Sequence, residues 1–258
     1  MLVRAIAGAL AATLVASAAR QTRTLSTTGA IAGALAGTIA IAADWSWGLL
    51  LLAHFTAASA LSKLGERRKA ELVGGVIVNG SERDAGQVLA NGGVYTIAAL
   101  TFLVFPSSVW YAIGAGALAA SAADTWATEV GMLAGGEPFS ITSGRRVPPG
   151  TSGGITPIGT VASIAGALFI GAGAALAGWP ILFAAVVLGG LAGSLADSVL
   201  GAMVQARRWC DLCAKSTERV VHSCGTPTRH AGGVEGFDND AVNAVCSGVG
   251  ALVALFLS

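Results

Sequence analysis

Eight long apolar segments dominate this sequence of 258 residues. A helix needs about 20 consecutive, mostly apolar residues to cross the hydrocarbon core of a bilayer. Apolar residues make up 54% of the chain and charged residues only 11%, which excludes an ordinary soluble domain. The sequence therefore predicts an all-α, polytopic bundle that forms one integral membrane domain over residues 1–258. Its about eight transmembrane helices are expected at 3–19, 25–43, 46–62, 87–105, 109–131, 157–178, 181–204 and 240–257.

The lysines and arginines lie almost entirely in the connections that follow the first, third, fifth and seventh segments. By the positive-inside rule these connections face the cytoplasm and both termini lie outside. Of the 15 basic residues only Arg4 departs from this pattern. The first segment also resembles a secretory signal peptide, but its cleavage would place every basic connection on the outer face, which leaves an uncleaved spanning helix or an interfacial helix. We expect a multi-pass protein of the plasma (inner) membrane with its active site facing the cytoplasm.

Two related motifs place carboxyl groups inside apolar segments. SAADTWATEVG, residues 121–131, carries Asp124 and Glu129, and GSLADSVLG, residues 193–201, carries Asp197. An ionisable side chain is costly in hydrocarbon, so its presence there indicates a functional site. Further polar residues open the fourth and eighth segments: Asp84, Gln87, Asn91, Asp238, Asp240 and Asn243. We expect these four helix ends to converge on the cytoplasmic side, although each residue alone has the alternative role of a helix cap or a buried hydrogen bond.

The connection between the fifth and sixth segments has the composition of a phosphate-binding loop. SGRRVPPGTSGGITPIG, residues 143–159, joins a basic pair to a glycine-rich stretch ahead of a helix. The pair is Arg145 and Arg146, and the stretch is Thr151, Ser152, Gly153 and Gly154. Backbone N–H groups at a helix start and guanidinium groups both bind phosphate, and carboxylates beside phosphate indicate Mg²⁺. The alternative is that the arginines only obey the positive-inside rule, but the neighbouring acids favour a metal–nucleotide site.

Five motifs follow one another from Arg83 to the C-terminus: RDAGQVLANGG, SAADTWATEVG, SGRRVPPGTSGG, GGLAGSLADSVLGA and FDNDAVN. Together they resemble the transmembrane-protein-nineteen family, which includes the chloroplast phytyl-phosphate kinase of plants. The resemblance implies an enzyme, a CTP-dependent isoprenyl phosphate kinase. It would transfer the γ-phosphoryl group of CTP to a phytyl or geranylgeranyl monophosphate in the membrane.

A more distant likeness is carried by Asp124, Ala127 and Gly131, followed by a basic segment and PGTSGG. This pattern is similar to that of the phytol and dolichol kinases and the CDP-lipid synthases, which use CTP and a divalent metal. The likeness carries Asp124 onto the metal-binding acid. It carries the basic pair and the glycine-rich stretch onto the phosphate-contacting segment.

Phosphoryl transfer depends mainly on positioning and charge stabilisation. We expect Asp124 and Asp197 to hold Mg²⁺ with Glu129 assisting, and Arg145 and Arg146 to bind the triphosphate. The polar starts of the fourth and eighth segments would complete the nucleotide and acceptor sites. Two alternatives stay open, a cytidylyltransferase that makes a CDP-lipid and an ion-coupled transporter. The expected partners are the lipid monophosphate, the nucleotide and the membrane, with no nucleic acid, and the oligomeric state is not predicted.

A separate cluster lies in the cytoplasmic loop at residues 205–236, with the spacing Cys210-x2-Cys213-x8-His222-x-Cys224. Disulfides are disfavoured in the reducing cytoplasm, whereas three thiolates and one imidazole suit a tetrahedral structural Zn²⁺. The loop therefore predicts a zinc knuckle, the alternative being a loop of unligated thiols.

Other chemically distinctive residues receive structural interpretations. Cys246 is expected to pack as a small hydrophobe, and His54 and His230 to be incidental. The tryptophans near the outer interface are expected to form an aromatic belt: Trp45, Trp47, Trp110 and Trp179.

Overall fold

The computed structural model describes residues 2–73 and 82–258. The long helices are α1 (Leu2–Gln21), α2 (Thr27–Ala43), α3 (Trp45–Lys63), α5 (Ala85–Val104), α6 (Ser108–Ala134), α7 (Pro157–Leu176), α8 (Phe183–Met203) and α9 (Asn239–Leu257). A short helix α4 (Glu66–Val73) follows α3. The strands are β1 (Phe139–Ser140), β2 (Gly154–Ile155), β3 (Arg207–Cys210), β4 (Lys215–Thr217) and β5 (Arg229–Gly232).

Each predicted apolar segment corresponds to one long helix, so the predicted all-α bundle is confirmed. In the described part of the chain, five of these helices are long and apolar enough to cross a membrane: α1, α5, α7, α8 and α9. Helix α2 is apolar but has 17 residues. The number of about eight spans stays a prediction.

Helix α6 lies at the centre of the bundle and packs against α3, α5, α7, α8 and α9. Apart from Ile113 and Leu118, its middle from Ala112 to Ala123 consists of small buried residues. A Cβ atom added at Gly250 of α9 would lie only 2.5 Å from the carbonyl oxygen of Gly116. Small residues thus let the helix backbones touch, which is how membrane helices gain packing contacts where water cannot drive them together.

One end of the bundle, which we name the aromatic end, is where α2, α5 and α7 finish. The ring of Trp47 is fully buried there, with centroids 5.0 Å from Tyr95, 5.5 Å from Tyr111 and 4.7 Å from Trp179. The Tyr95 hydroxyl donates a 2.6 Å hydrogen bond to the Trp47 carbonyl. The predicted aromatic belt is therefore wrong for Trp47 and Trp179, because these rings are buried against one another inside the bundle. Trp45, by contrast, is exposed.

Arg4 also belongs to the aromatic end. Its Nη1 lies 2.7 Å from Oδ2 of Asp44, which caps the start of α3. This ion pair gives a local partner to the one basic residue that departs from the charge pattern.

The opposite end, which we name the polar end, is where α1, α3, α6 and α8 finish. A β1–β2 hairpin connects α6 to α7 there, and a three-stranded sheet of order β4-β3-β5 connects α8 to α9. Leu25, between α1 and α2, pairs with Arg83 just before α5. The connections of the polar end therefore fold over one another.

Candidate active site

A cavity of about 1100 Å³ opens at the polar end and extends between the helices. Its polar part is lined by the half-buried acids of α6 and α8, by amides of α5 and α9 and by the glycine-rich loop before α7. Its apolar part includes Val15, Leu49, Leu52 and Phe55 beside α1–α3, and Ile164, Leu191 and Leu195 of α7 and α8. The cavity thus joins a polar chamber to an apolar groove of the kind that a lipid chain requires.

Asp124 and Asp197 meet because small residues bring α6 and α8 together one turn earlier. A Cβ atom added at Gly193 would overlap the Cβ of Ala120, and these two residues lie four positions before Asp197 and Asp124. The two carboxyl groups lie close enough to interact, and both line the cavity. Within residues 2–73 and 82–258, no group hydrogen-bonds Oδ2 of Asp197, although this atom is buried. Two facing, half-buried carboxylates favour a proton or a cation between them, so this oxygen set fits a divalent metal such as Mg²⁺.

Both acids lie inside their helices rather than at the last residues. Helix α6 continues from Asp124 to Ala134, and α8 continues from Asp197 to Met203. At 1.5 Å per residue these distances are about 15 Å and about 9 Å along the helix axes. The predicted segments, 109–131 and 181–204, also extend past both acids, and the polar chamber therefore reaches into the bundle.

The glycine-rich stretch lies directly against α8. A Cβ atom at Gly153 would come within 2.5 Å of the Ser198 carbonyl oxygen, and its φ of +76° favours glycine. Thr156 then caps α7, accepting a hydrogen bond from Gly159 N, with Pro157 in the first turn. Thr151, Ser152, Gly153 and Gly154 all line the cavity. The structure therefore brings the predicted phosphate-contacting stretch beside Asp197.

The two arginines of the same loop point elsewhere. Arg145 and Arg146 are exposed and lie outside the lining of the cavity. Arg146 pairs with Glu137 at 3.2 Å and stacks over Phe139 at 5.7 Å. A turn at Gly144, with φ of +66°, folds this pair back along β1. Their predicted contact with the triphosphate stays a prediction, and in this conformation the structure does not bring them to the acids.

Among the described residues, three cationic side chains line the cavity instead, those of Lys69, Arg83 and Arg219. Two backbone hydrogen bonds, Ser26 N to Arg83 O at 2.9 Å and Arg83 N to Thr24 O at 3.0 Å, hold Arg83 against the α1–α2 turn. Any side chain at Gly29 would overlap the Arg83 carbonyl, so glycine permits this approach. The guanidinium donates a 2.9 Å bond to Ser62 Oγ. Burial lowers the pKa of Arg83 while Glu129 opposes this change, and a guanidinium stays charged at physiological pH.

Glu129, which was expected to assist the metal, already has protein partners. Its Oε2 lies 2.5 Å from Nζ of Lys69, and its Oε1 accepts a 2.6 Å bond from Ser62. Lys69 is buried and also donates to the carbonyls of Leu61 and Ser62 at the end of α3. Glu129 lines the cavity, but its contacts indicate that it joins α4 and α3 to α6. Its role as a metal ligand stays a prediction.

The polar helix starts divide into two groups. Gln87, Asn91 and Asn243 line the cavity. Asn91 accepts a 2.9 Å bond from Ser121, whose hydroxyl lies 3.4 Å from Nε2 of His54.

The other group lies outside the cavity lining and consists of Asp84, Asp238 and Asp240. Asp84 caps α5 in a capping box with Gln87, and Asp238 caps α9 through a 3.0 Å bond from Ala241 N. Asp240 lies against Gly86 at the start of α5. The structure thus shows the capping alternative for Asp84 and Asp238.

His54 and Glu218 line the cavity although the sequence analysis gave them no role. His54 is buried in α3, and the rule that singled out Asp124, an ionisable group in an apolar segment, could have found it. Glu218 follows β4 and accepts a hydrogen bond from Ser152 Oγ. Burial raises the pKa of Glu218, the Ser152 bond opposes this rise, and the charge of Asp238 adds to it. No sequence motif marks Glu218, since its position depends on how the sheet folds.

The four predicted zinc ligands come together between α8 and α9. The ligand atoms of Cys210, Cys213, His222 and Cys224 all lie within 4.8 Å of one another. Hydrogen bonds with Thr226 and His222 lower the pKa of Cys224 to about 6. The pKa of Cys213 rises to about 11, chiefly through its hydrogen bond with Cys224. Cys246 is buried in α9, which agrees with its predicted packing role.

Comparison with known proteins identifies relatives across most of the chain. Residues 10–251 match the family described as integral membrane protein DUF92. Protein PGR of Arabidopsis thaliana is 30% identical over 94% of this chain and 92% of its own length. An uncharacterized membrane protein of Methanocaldococcus jannaschii is 35% identical over 62% of this chain and 65% of its own length. An uncharacterized membrane protein of Synechocystis sp. is 31% identical over 72% of this chain and 71% of its own length. No solved structure matches. A multi-pass integral membrane protein is therefore confirmed.

Proposed function

The chain belongs to the integral membrane protein DUF92 family, and we propose that it is a CTP-dependent isoprenyl phosphate kinase. The observation that carries this proposal is the cavity, in which a pair of half-buried acids and a glycine-rich loop adjoin an apolar groove. A kinase for a lipid monophosphate requires a polar chamber for the nucleotide and an apolar groove for the lipid chain in one site. The resemblance to the transmembrane-protein-nineteen family supports the same choice.

At the donor side, Asp124 and Asp197 would hold Mg²⁺, and the chemistry that the ion supplies is neutralisation of phosphate oxygens. In the glycine-rich stretch, Thr151 N and Gly154 N donate to carbonyls of the same loop, so the backbone N–H groups proposed to bind phosphate are those of Ser152 and Gly153. Arg83 adds a guanidinium inside the cavity, where water screens its charge less than at the surface. These residues bind and orient the triphosphate.

At the acceptor side, the isoprenyl chain would lie along the apolar groove, which includes Leu49, Leu52 and Phe55. The acceptor phosphate is already largely ionised near neutral pH, so no strong general base is needed. An oxygen of this phosphate forms a bond to the γ-phosphorus, and the bond from that phosphorus to the β–γ bridging oxygen breaks. CDP leaves, and the lipid diphosphate is the product.

We also propose that the polar end faces the cytoplasm of the plasma (inner) membrane, where nucleotides are available. The basic connections follow the helices that finish at this end, as the positive-inside rule requires.

The test uses purified protein in lipid nanodiscs with Mg²⁺, phytyl monophosphate and CTP labelled at either the α- or the γ-phosphate. We expect only the γ-label to enter the lipid, which becomes the diphosphate. Entry of the α-label would indicate a cytidylyltransferase and overturn the proposal. ATP in place of CTP measures nucleotide preference. Phytol in place of phytyl monophosphate is the control, because it has a hydroxyl group but lacks the phosphate oxygen that attacks in the proposed reaction.

The ion-coupled transporter is the weaker alternative. It requires a path from the acids to both sides of the membrane. The packed rings of Trp47, Tyr95, Tyr111 and Trp179 occupy much of the interior at the aromatic end, where the described part of the cavity extends only beside Ile41 and Trp45. Label transfer distinguishes the two functions, since a transporter forms no lipid diphosphate.

A further inference from the structure

Two turns of the β3–β5 segment bring its cysteines and histidine together. The first turn joins β3 to β4 and carries Cys210 and Cys213. The second carries His222 and Cys224, and is closed by hydrogen bonds from His222 N to Thr226 O at 2.9 Å and from Gly225 N to His222 O at 2.8 Å. Two facing turns that each supply two ligands are the usual construction of a structural zinc site.

The distances match a metal better than a disulfide. In a tetrahedron with Zn–S bonds of about 2.3 Å, the sulfurs are about 3.8 Å apart. Sγ of Cys210 lies 3.7 Å from Sγ of Cys224, and Nδ1 of His222 lies 3.2 Å from the same sulfur. A disulfide would require a sulfur–sulfur distance of about 2.05 Å.

The segment also lacks the apolar core that would otherwise hold it together. Between Arg207 and Gly232, all of which the structure describes, the buried residues are Cys210, Thr217, His222 and Thr228. The larger aliphatic residues of this stretch, Leu212, Val220 and Val221, are exposed. A segment of this size without a core needs a cross-link, and a metal provides one.

We propose that Cys210, Cys213, His222 and Cys224 bind one Zn²⁺, and that this zinc knuckle holds Glu218 at the mouth of the cavity. Strand β4 runs from the first turn to Thr217, and Glu218 is the next residue. Its carboxylate accepts a hydrogen bond from Ser152 of the glycine-rich stretch. After β5, the chain is attached to the end of α8 by two backbone hydrogen bonds, from Val234 N to Val204 O and from Ala206 N to Phe237 O.

The metal site is tested on the full chain purified in detergent without added chelator. We expect about one zinc per chain by mass spectrometric metal analysis. The Cys213→Ser and Cys224→Ser variants should hold at least about tenfold less. Cys246→Ser, which changes a buried thiol in α9, is the matched control and should keep its zinc. Cobalt added to the metal-free protein should give the thiolate charge-transfer absorption of a tetrahedral site.

Zinc retained equally by all variants, or a Cys210–Cys224 disulfide with no metal in the freshly purified protein, would overturn the site. These readouts need no enzyme activity, so they are independent of the proposed kinase function.

The link to the cavity mouth is tested by limited trypsin digestion, since Lys215 and Arg219 lie on either side of Glu218. Removing zinc from the wild-type chain should speed cleavage there at least about tenfold, and added zinc should reverse this. Cleavage at Arg145 and Arg146, in another connection, is the internal control. Unchanged cleavage after proven zinc loss would overturn the positioning role.

Discussion

The two ends of this helix bundle differ in how their interiors are filled. At the aromatic end, rings from separate helices fill the interior, and Tyr95 donates its hydroxyl proton to the Trp47 carbonyl. At the polar end the helices leave a cavity of about 1100 Å³, and the carboxyl groups of Asp124 and Asp197 line it. Packing at the first end stabilises the fold. At the polar end, carboxyl groups face an open cavity inside the bundle, which costs folding stability and is typical of a binding site.

The largest effect on stability is expected at the aromatic end. Trp47→Ala removes a fully buried ring and should lower the free energy of unfolding by about 4 kcal/mol. The exposed Trp45→Ala is the control and should cost less than about 1 kcal/mol. Denaturant unfolding in detergent measures both. Equal costs for the two variants would contradict the difference in packing.

Next in size is the buried ion pair of the polar end. Lys69→Met leaves the Glu129 carboxylate buried without its cation, which should cost about 3 kcal/mol. Arg146→Met breaks the exposed pair with Glu137 and should cost less than about 1 kcal/mol. The double variant Lys69→Met/Glu129→Gln should recover part of the loss. If it were no more stable than Lys69→Met, the pair would not account for the cost.

Arg83 and Arg146 offer a smaller, functional contrast. Arg83→Lys keeps a positive charge but loses the planar donor geometry inside the cavity, so the KM for nucleotide should rise about tenfold, or about 1.4 kcal/mol. Arg146→Lys changes an exposed side chain outside the cavity and should alter KM less than about twofold. Steady-state kinetics measure both. A larger effect for Arg146 would show that the loop turns inward when nucleotide binds, as the sequence analysis expected.

The smallest expected effect is a pH dependence from Glu218. Because burial raises its pKa in the folded state, the native protein holds this proton more tightly than the unfolded chain does. Stability should therefore fall as the pH rises from the unfolded pKa of about 4.5 through the folded value. Glu218→Gln should flatten this part of the curve and be more stable than wild type at neutral pH. Melting temperatures of the metal-loaded protein at several pH values measure this, and parallel curves would contradict it.

The sequence predicts the helices well because an apolar stretch of about 20 residues has one main solution in a membrane. It also identifies Asp124 and Asp197, since a carboxyl group in such a stretch is conspicuous. The zinc ligands are visible in their spacing for a similar reason. All of these signals are local.

The positions of the other site residues, and the burial of the aromatic rings, depend on tertiary contacts that no local pattern encodes. Arg83 reaches the cavity because Gly29 lets its backbone cross α2, and Arg146 turns away because of the bend at Gly144. For Trp47, the sequence predicts the position along the helix but not the side of the helix that faces the core. Glu218 enters the cavity only through the folding of the β3–β5 sheet.

The most direct test compares carboxyl groups at the two ends of the bundle by one substitution, aspartate to asparagine. Diphosphate formation from γ-labelled CTP should fall at least about 1,000-fold, or about 4 kcal/mol, in both Asp124→Asn and Asp197→Asn. Asp44→Asn, at the aromatic end, should keep the wild-type rate, because asparagine also caps a helix. Wild-type rates in both Asp124→Asn and Asp197→Asn would contradict the assignment of the polar end as a metal–nucleotide site.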